Sequence, residues 1–380
     1  DGTTTTNTYD ENGNLTSSTD ALGNTTTYTY NEQNLATSIT DAAGKQTQYS
    51  YDAQGNMISV TDPAGATTSY TYDTRGNITS ITNPLGKTTT MTYDQHNNLT
   101  SVTDPTGVKI TMTYDNLGNM TSQTDAAGNT TTFQYNNLNQ MISVTDSTGK
   151  VTNYTYDAQG NILTTTDANG NTTTNTYNYK NQLIQTTDAL GQVTRFTYGA
   201  ASCGSGCSGT DKLTAVTDAK NQSTIYEYDQ AGRLIRETDP LGNVTSYQYD
   251  ARGNTISKTK PDGRTINYIY DEAGRLLERR YPNNTADIFQ YDQTGNLIMA
   301  TTNQNIAYYY AYDAAGRLTG VTDSHLRNIE YRYDAAGNRI SMKTPDGKTI
   351  SYEYNANNQL TKITANGRNY TFAYDSLNRR

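Results

Sequence analysis

Two thiols, two imidazoles and a large population of carboxylates are the groups in this 380-residue chain that could do chemistry. Cys203 and Cys207 stand with three residues between them in a run of Gly, Ala and Ser, 199–209. Two thiols alone do not complete a zinc site, and the only histidines, His96 and His325, lie far off on either side. A redox pair of the usual kind has two intervening residues, not three. In an oxidising compartment the better reading of Cys203 and Cys207 is a local disulfide that closes the loop. His96 and His325 each fall in or beside a turn and read as exposed turn residues. No Gly-x-Ser-x-Gly elbow, phosphate-binding glycine loop or His-Glu-x-x-His occurs, so nothing points to an enzyme. The many Asp and Asn could serve a hard cation such as calcium, but their spacing matches no EF-hand or calcium β-roll. They read first as turn formers, and no cofactor is expected.

These carboxylates are periodic, and the period leads to the elements. Tyr recurs 21 residues apart at Tyr9, Tyr30, Tyr51, Tyr72, Tyr93, Tyr114, Tyr135, Tyr156, Tyr177 and Tyr198. It resumes at Tyr228, Tyr249, Tyr270, Tyr291, Tyr312, Tyr333 and Tyr354, and Tyr374 follows after a step of 20. The step from Tyr198 to Tyr228 is one repeat plus nine inserted residues. Thirteen of these tyrosines precede Asp and four precede Asn, so a turn residue follows nearly every one.

The unit from Tyr51 to Tyr72 shows the logic. Asp52-Ala53-Gln54-Gly55-Asn56 is a turn, opened by an Asx-type residue and relieved by a glycine free to take positive φ. Residues 57–61 are β-branched or long and apolar and read as a strand. Asp62-Pro63-Ala64-Gly65 is a second turn. Residues 66–72 then alternate, with Thr68, Tyr70 and Tyr72 on one face and Thr67, Ser69 and Thr71 on the other. Both turns are short enough for hairpins, which predicts antiparallel pairing of consecutive strands. In later units the second turn loses its Asp, at Lys260, Tyr281, Thr302, Thr344 and Ala365, while the period survives.

The composition decides what such a series can build. Only 33% of residues are hydrophobic, Trp is absent and Phe numbers 4 against 33 Tyr, so a thick dry core is out of reach. The abundance of Tyr, Thr, Ile and Val excludes a disordered chain. About 34 strands at about 4.8 Å each would make a flat sheet about 160 Å long, and open twisted sheets beyond about ten strands curl or split. The expected fold is all-β: a long curved antiparallel sheet, wound as a spiral shell, barrel or tube. A parallel β-solenoid of 21-residue coils is the alternative. Three segments are expected: 1–198 regular and acidic, 199–211 an insertion loop, and 212–380 more divergent repeats continuing the same sheet. The first 198 residues carry 7 Lys+Arg against 17 Asp+Glu and the rest 21 against 20, which leaves no basic stripe for nucleic acid. No apolar run is long enough to span a bilayer as a helix. The chain opens within a repeat, so it reads as a fragment and the absence of a signal peptide carries little weight.

The pattern Tyr-Asp-x-x-Gly-Asn/Arg resembles the YD-repeat, or RHS-repeat, family. Tyr249-Asp250-Ala251-Arg252-Gly253-Asn254 and Tyr228-Asp229-Gln230-Ala231-Gly232-Arg233-Leu234 carry it, and the likeness runs the length of the chain. That family includes bacterial Rhs and wall-associated polymorphic toxins, shell subunits of insecticidal toxin complexes, and teneurins. The resemblance implies a spiralling β-shell in a secreted or cell-surface protein, here of bacterial style, with an enclosed polypeptide such as a C-terminal toxin domain as partner. Two other uses stay open: an adhesion module whose tyrosine rows stack on cell-surface carbohydrate or meet a protein, and an extracellular fibre formed by self-association.

Overall fold

The computed structural model describes residues 4–199, 211–375 and 377–380. Cys203 and Cys207 lie outside the described residues. Thirty-five strands, β1 (Thr6–Tyr9) to β35 (Arg368–Thr371) in chain order, fill these segments, and no helix is present among the described residues. Each strand pairs antiparallel with the strand before it and the strand after it, as in β5 (Gln46–Tyr51), β6 (Met57–Thr61) and β7 (Thr67–Tyr72). The parallel solenoid is thereby overturned. Five-residue turns bring neighbouring strands back side by side, and stacked coils never form. β19 (Val193–Tyr198) pairs with β20 (Leu213–Thr217), so one ladder runs across the insertion.

Both turns of a repeat have the same construction. At the first, the Gly55 amide donates to the Asp52 carbonyl at 3.1 Å and the Asp52 amide donates to the Asn56 carbonyl at 2.9 Å. At the second, Gly65 donates to Asp62 and Asp62 to Ala66 in the same way, at 2.9 and 3.0 Å. This is a type I turn followed by a left-handed residue, the standard three-residue hairpin connection. Gly55 sits at φ 87°, which explains glycine at that position, and Asn34, Asn97 and Asn139 occupy the equivalent place at φ 60–68°. Lys260, Tyr281, Thr302 and Thr344 open second turns with the same backbone bonds, so the geometry survives loss of the carboxylate. The 20-residue step before Tyr374 arises at Asn366-Gly367, a two-residue turn with both φ positive, between the paired residues Ala365 and Arg368.

Leu326 is the one described residue other than Asn or Gly with positive φ, at 62°, and its side chain is 85% exposed. Nothing offsets the steric cost of a left-handed leucine. Leu326→Gly is therefore expected to raise stability by about 1 kcal/mol. A thermal melt of the variant that shows no rise would refute that estimate.

The two hairpins of a repeat differ in one respect that no periodicity reveals. In β5–β6, Tyr51 pairs with Met57 and Ser50 with Ser59, so Ile58 is an extra residue, a β-bulge. In β6–β7 the register runs without interruption. The same asymmetry recurs in the first and last repeats. A bulge bends its strand and adds twist, and one on the same side of every repeat makes the bend accumulate.

The sheet accordingly comes back on itself. The Lys45 ammonium donates to the Asp313 carbonyl at 3.3 Å, and the Asn357 amide donates to the Asp104 carboxylate and, at 3.0 Å, to the Thr106 hydroxyl. Arg275 lies close enough for its charge to act on Asp20, and Arg379 on Asp125. Val60 and Asp62 share a cleft with Ala315 and Arg317. Each contact joins a second turn to a first turn about twelve repeats later. About 24 strands thus make one coil, with a circumference of about 115 Å and a diameter of about 37 Å. Successive coils meet rim to rim, without strand pairing between them. No hydrophobic residue is fully buried among the described residues, so the coil is a wall and not a filled globule.

Candidate functional site

A wall has three surfaces that can work: the tyrosine face, the opposite face and the two rims of turns. The burial pattern of β7 alternates as the residue types do, with Thr68, Tyr70 and Tyr72 half-buried and Thr67, Ser69 and Thr71 exposed. On the exposed face hydroxyls bond one another across strands, as in Thr29 with Thr37 and Ser38 at 2.8 and 2.7 Å. Ser38, Ser101 and Ser143, at equivalent positions, are nearly covered by these neighbours.

The signature tyrosine has a specific task. The ladder between β6 and β7 ends at Ser59 opposite Ser69, which leaves Met57 beyond the last pair. The Tyr72 hydroxyl reaches into that gap and donates to the Met57 carbonyl at 2.7 Å. Sixteen of the eighteen repeat tyrosines make the equivalent bond to a carbonyl in the preceding repeat, at 2.6–3.1 Å. The side chain thus replaces a ladder bond where the strands splay beside the bulge. Burial pushes the phenols of Tyr72, Tyr249 and Tyr270 above their ordinary pKa, which keeps them as donors. Their rings are packed and their hydroxyls are engaged, so the rows are structural elements before they are any ligand platform.

The turn carboxylates are likewise occupied. Asp52 Oδ1 accepts from the Gln54 and Asn56 amides at 3.0 and 2.8 Å, and Oδ2 accepts from the Asn56 side chain at 2.9 Å. A cation would have to displace those donors, and among the described residues no group of three His, Cys, Asp or Glu is placed to hold a metal ion. His96 and His325 fall at the third position of such turns and are exposed. In Asp73 the side-chain bond from Asn77, followed by the Asn77 and Arg75 amides, draws the carboxyl down to about 2. A carboxyl depressed in the fold stabilises it above the unfolded pKa, and that contribution is lost as pH falls through the folded value. The wall is therefore expected to lose thermal stability between about pH 4 and pH 2. Melting temperatures that stay level across that window would contradict this account of the turns.

In about half of the repeats the last position of the first turn ties one repeat to the next, by one of two chemistries. In the regular half it is often Asn: Asn14 and Asn77 donate to the side chains of Asn34 and Asn97, the left-handed residues one repeat on, at 2.8 Å. In the second half it is often Arg. Arg275 donates to Asp271 Oδ2 at 2.7 Å and to the Asp292 carbonyl at 3.0 Å, with its guanidinium 5.0 Å from the Tyr291 ring centre. Arg233 and Arg317 repeat the arrangement over Tyr249 and Tyr333.

One buried carboxylate has no counterpart in the other repeats. Asp287 occupies a position filled by Thr in the early units and is 8% exposed. It accepts from Arg279, from the Tyr281 hydroxyl and from the Asn303 amide. Its signal in the sequence is a lone Asp at a position otherwise held by Thr, Ile or Tyr.

The RHS Repeat model matches residues 9–44, 30–67, 51–88 and 72–109, and the Teneurin YD-shell model matches 111–280, 208–350 and 264–380. No curated protein sequence matches. Among solved structures, that of TcdB2-TccC3-Cdc42 is similar at 14% identity over 94% of this chain and 26% of its own, with a TM-score of 0.49. The pore of the Photorhabdus luminescens Tc holotoxin is similar at 15% identity over 94% of this chain and 26% of its own, with a TM-score of 0.43. The chain spans about a quarter of the length of each.

Proposed function

The chain belongs to the RHS and YD-shell repeat family, and on that footing we propose that it is a section of shell wall that encloses a polypeptide guest, such as a C-terminal toxin domain of its parent protein. The parent is taken as a secreted or surface-displayed bacterial protein, and the wall as structural, with no catalytic part. The observation that carries this reading is the coil of about twelve repeats with no buried hydrophobic residue among those described. A backbone diameter of about 37 Å less about 10 Å of inward side chains leaves a lumen about 25 Å across. That width admits an extended or partly folded chain. A wall lined by hydroxyls, amides and half-covered phenols offers a guest little apolar surface to adhere to, which suits storage followed by release.

The test is protection. An unstructured, protease-sensitive reporter joined to the C terminus of the chain should be cleaved much more slowly than the same reporter free in solution. Cleavage at the free rate, with the wall intact by circular dichroism, would overturn enclosure.

A further inference from the structure

Two kinds of junction hold this wall, and they differ in strength. Within one coil, neighbouring strands share a backbone ladder, and tyrosine hydroxyls tie one repeat to the one before. Across the seam between coils there is no ladder: among the described residues each strand approaches only its neighbours in sequence. The bonds that cross the seam come from turns. Lys45 donates to the Asp313 carbonyl at 3.3 Å, and Asn357 donates to the Asp104 carboxylate and to the Thr106 hydroxyl.

The seam is also loosely packed. A cleft of about 340 Å³ remains where Val60 and Asp62 face Ala315 and Arg317. One repeat on, a cleft of about 360 Å³ lies where Ile81 and Asn83 face Ala356 and Asn357. Beside it Asn357 Oδ1 is buried and finds no donor in the chain, the one such side-chain atom among the described residues. Close-packed interiors have few such voids, and a buried acceptor left without a donor weakens the contact that buries it. A ladder breaks only when its hairpin unfolds, whereas this seam can part with every hairpin intact. The bend that brings the coils together is shared among about twelve repeats, so a slot about 10 Å wide asks about 1 Å of slip from each. That width passes an extended chain, which is about 5 Å across in the hydrogen-bonding direction.

We propose that the seam is a lateral gate: the coils part between the turns around Asp104 and Asn357 and open the lumen sideways to an extended polypeptide, while the strands stay paired. The motion is a small slide of one rim past the other, spread over many repeats, and no single residue acts as its hinge. The use of the gate rests on the reading of the wall as an enclosure. The parting of the seam does not, and the two are measured separately.

The experiment uses the 380-residue chain with Cys203→Ser and Cys207→Ser, and nitroxide labels on Gln46→Cys and Ala311→Cys, exposed positions on the two sides of the Lys45 contact. Labels on Gln48→Cys and Thr90→Cys, two repeats apart in one coil, are the control. As urea rises, the distance across the seam should lengthen by the width of the slot while the control distance and the β spectrum are unchanged. Asn357→Asp sets a carboxylate against Asp104 and should lengthen the same distance without urea. A seam that is lost only together with the strands, or that stays closed in Asn357→Asp, overturns the proposal. The protease-sensitive reporter, joined to Asn357→Asp, should be cut several-fold faster than on the parent chain. Equal protection on both with the seam open would overturn the gate and leave enclosure standing. A reporter cut at the free rate on both would overturn enclosure and the use of the gate, whereas the label distances still report whether the seam parts.

Discussion

Asp287→Ala is expected to destabilise the wall by about 2 to 3 kcal/mol. Three donors converge on this side chain. Arg279 reaches Oδ2 through Nε and Nη2 at 2.9 and 2.5 Å, the Tyr281 hydroxyl reaches the same oxygen at 2.8 Å, and the Asn303 amide reaches Oδ1 at 2.7 Å. The turns at 281–285 and 302–306 begin with Tyr and Thr and lack the usual capping carboxylate. Asp287 supplies one from the neighbouring strand, β27 (Ala286–Tyr291). Burial alone would push its carboxyl up, but the Tyr281 and Arg279 bonds and the Asn303 amide outweigh that and hold it below the ordinary value. Removal strands a guanidinium, a phenol and a backbone amide together. Breaking a fully buried pair would cost more, but the Arg279 side chain is 40% exposed and water can take over part of its solvation. Asp287→Asn, which keeps an acceptor oxygen, should lose about half as much. Chemical denaturation measures both, and an alanine variant as stable as the parent would show that the cluster is ornamental.

Much of this architecture was legible before any coordinates, for reasons that particular residues make plain. Asp52 and Gly55 announce a turn because a short carboxylate caps the amides that follow it and a glycine takes the left-handed backbone at no steric cost. Thr68, Tyr70 and Tyr72 announce one face of a strand because side chains alternate. These are local constraints, enforced within a few residues. The bulge at Ile58 was not legible, since Met57-Ile58-Ser59 reads as an unbroken strand and only the partner's register reveals the extra residue. The seam was beyond reach for a stronger reason. Whether Lys45 meets Asp313 depends on a small bend per repeat multiplied by twelve, and a modest error in that bend would move the contact by a whole repeat. The tyrosine period marks the repeat and its face, but it does not reveal that the hydroxyl is the part that links one repeat to the one before.

That link gives the second large prediction. Tyr249 donates to the Leu234 carbonyl at 2.6 Å and lies beneath the Arg233 guanidinium, 4.8 Å from the ring centre. The ladder of β22 (Leu234–Thr238) and β23 (Val244–Tyr249) ends at Arg236 opposite Ser246, so Leu234 has no later pair in that hairpin. Tyr249→Phe keeps the ring and the stacking but leaves the carbonyl without its donor, and should cost about 1 kcal/mol. Tyr249→Ala removes the ring as well and should cost about 3 kcal/mol, near the low end for an aromatic truncation because the site is only half-buried. Tyr9, 60% exposed and without that bond, is the internal control, and its alanine variant should lose far less. In a tandem array each repeat leans on its neighbours, so the damage should also be local. Hydrogen exchange ought to accelerate in the hairpins around 234–249 while the strands near 130–156 keep their protection. Uniform acceleration along the chain, or a phenylalanine variant as costly as the alanine one, would mean that the wall is held by something other than the hydroxyl bond between one repeat and the next.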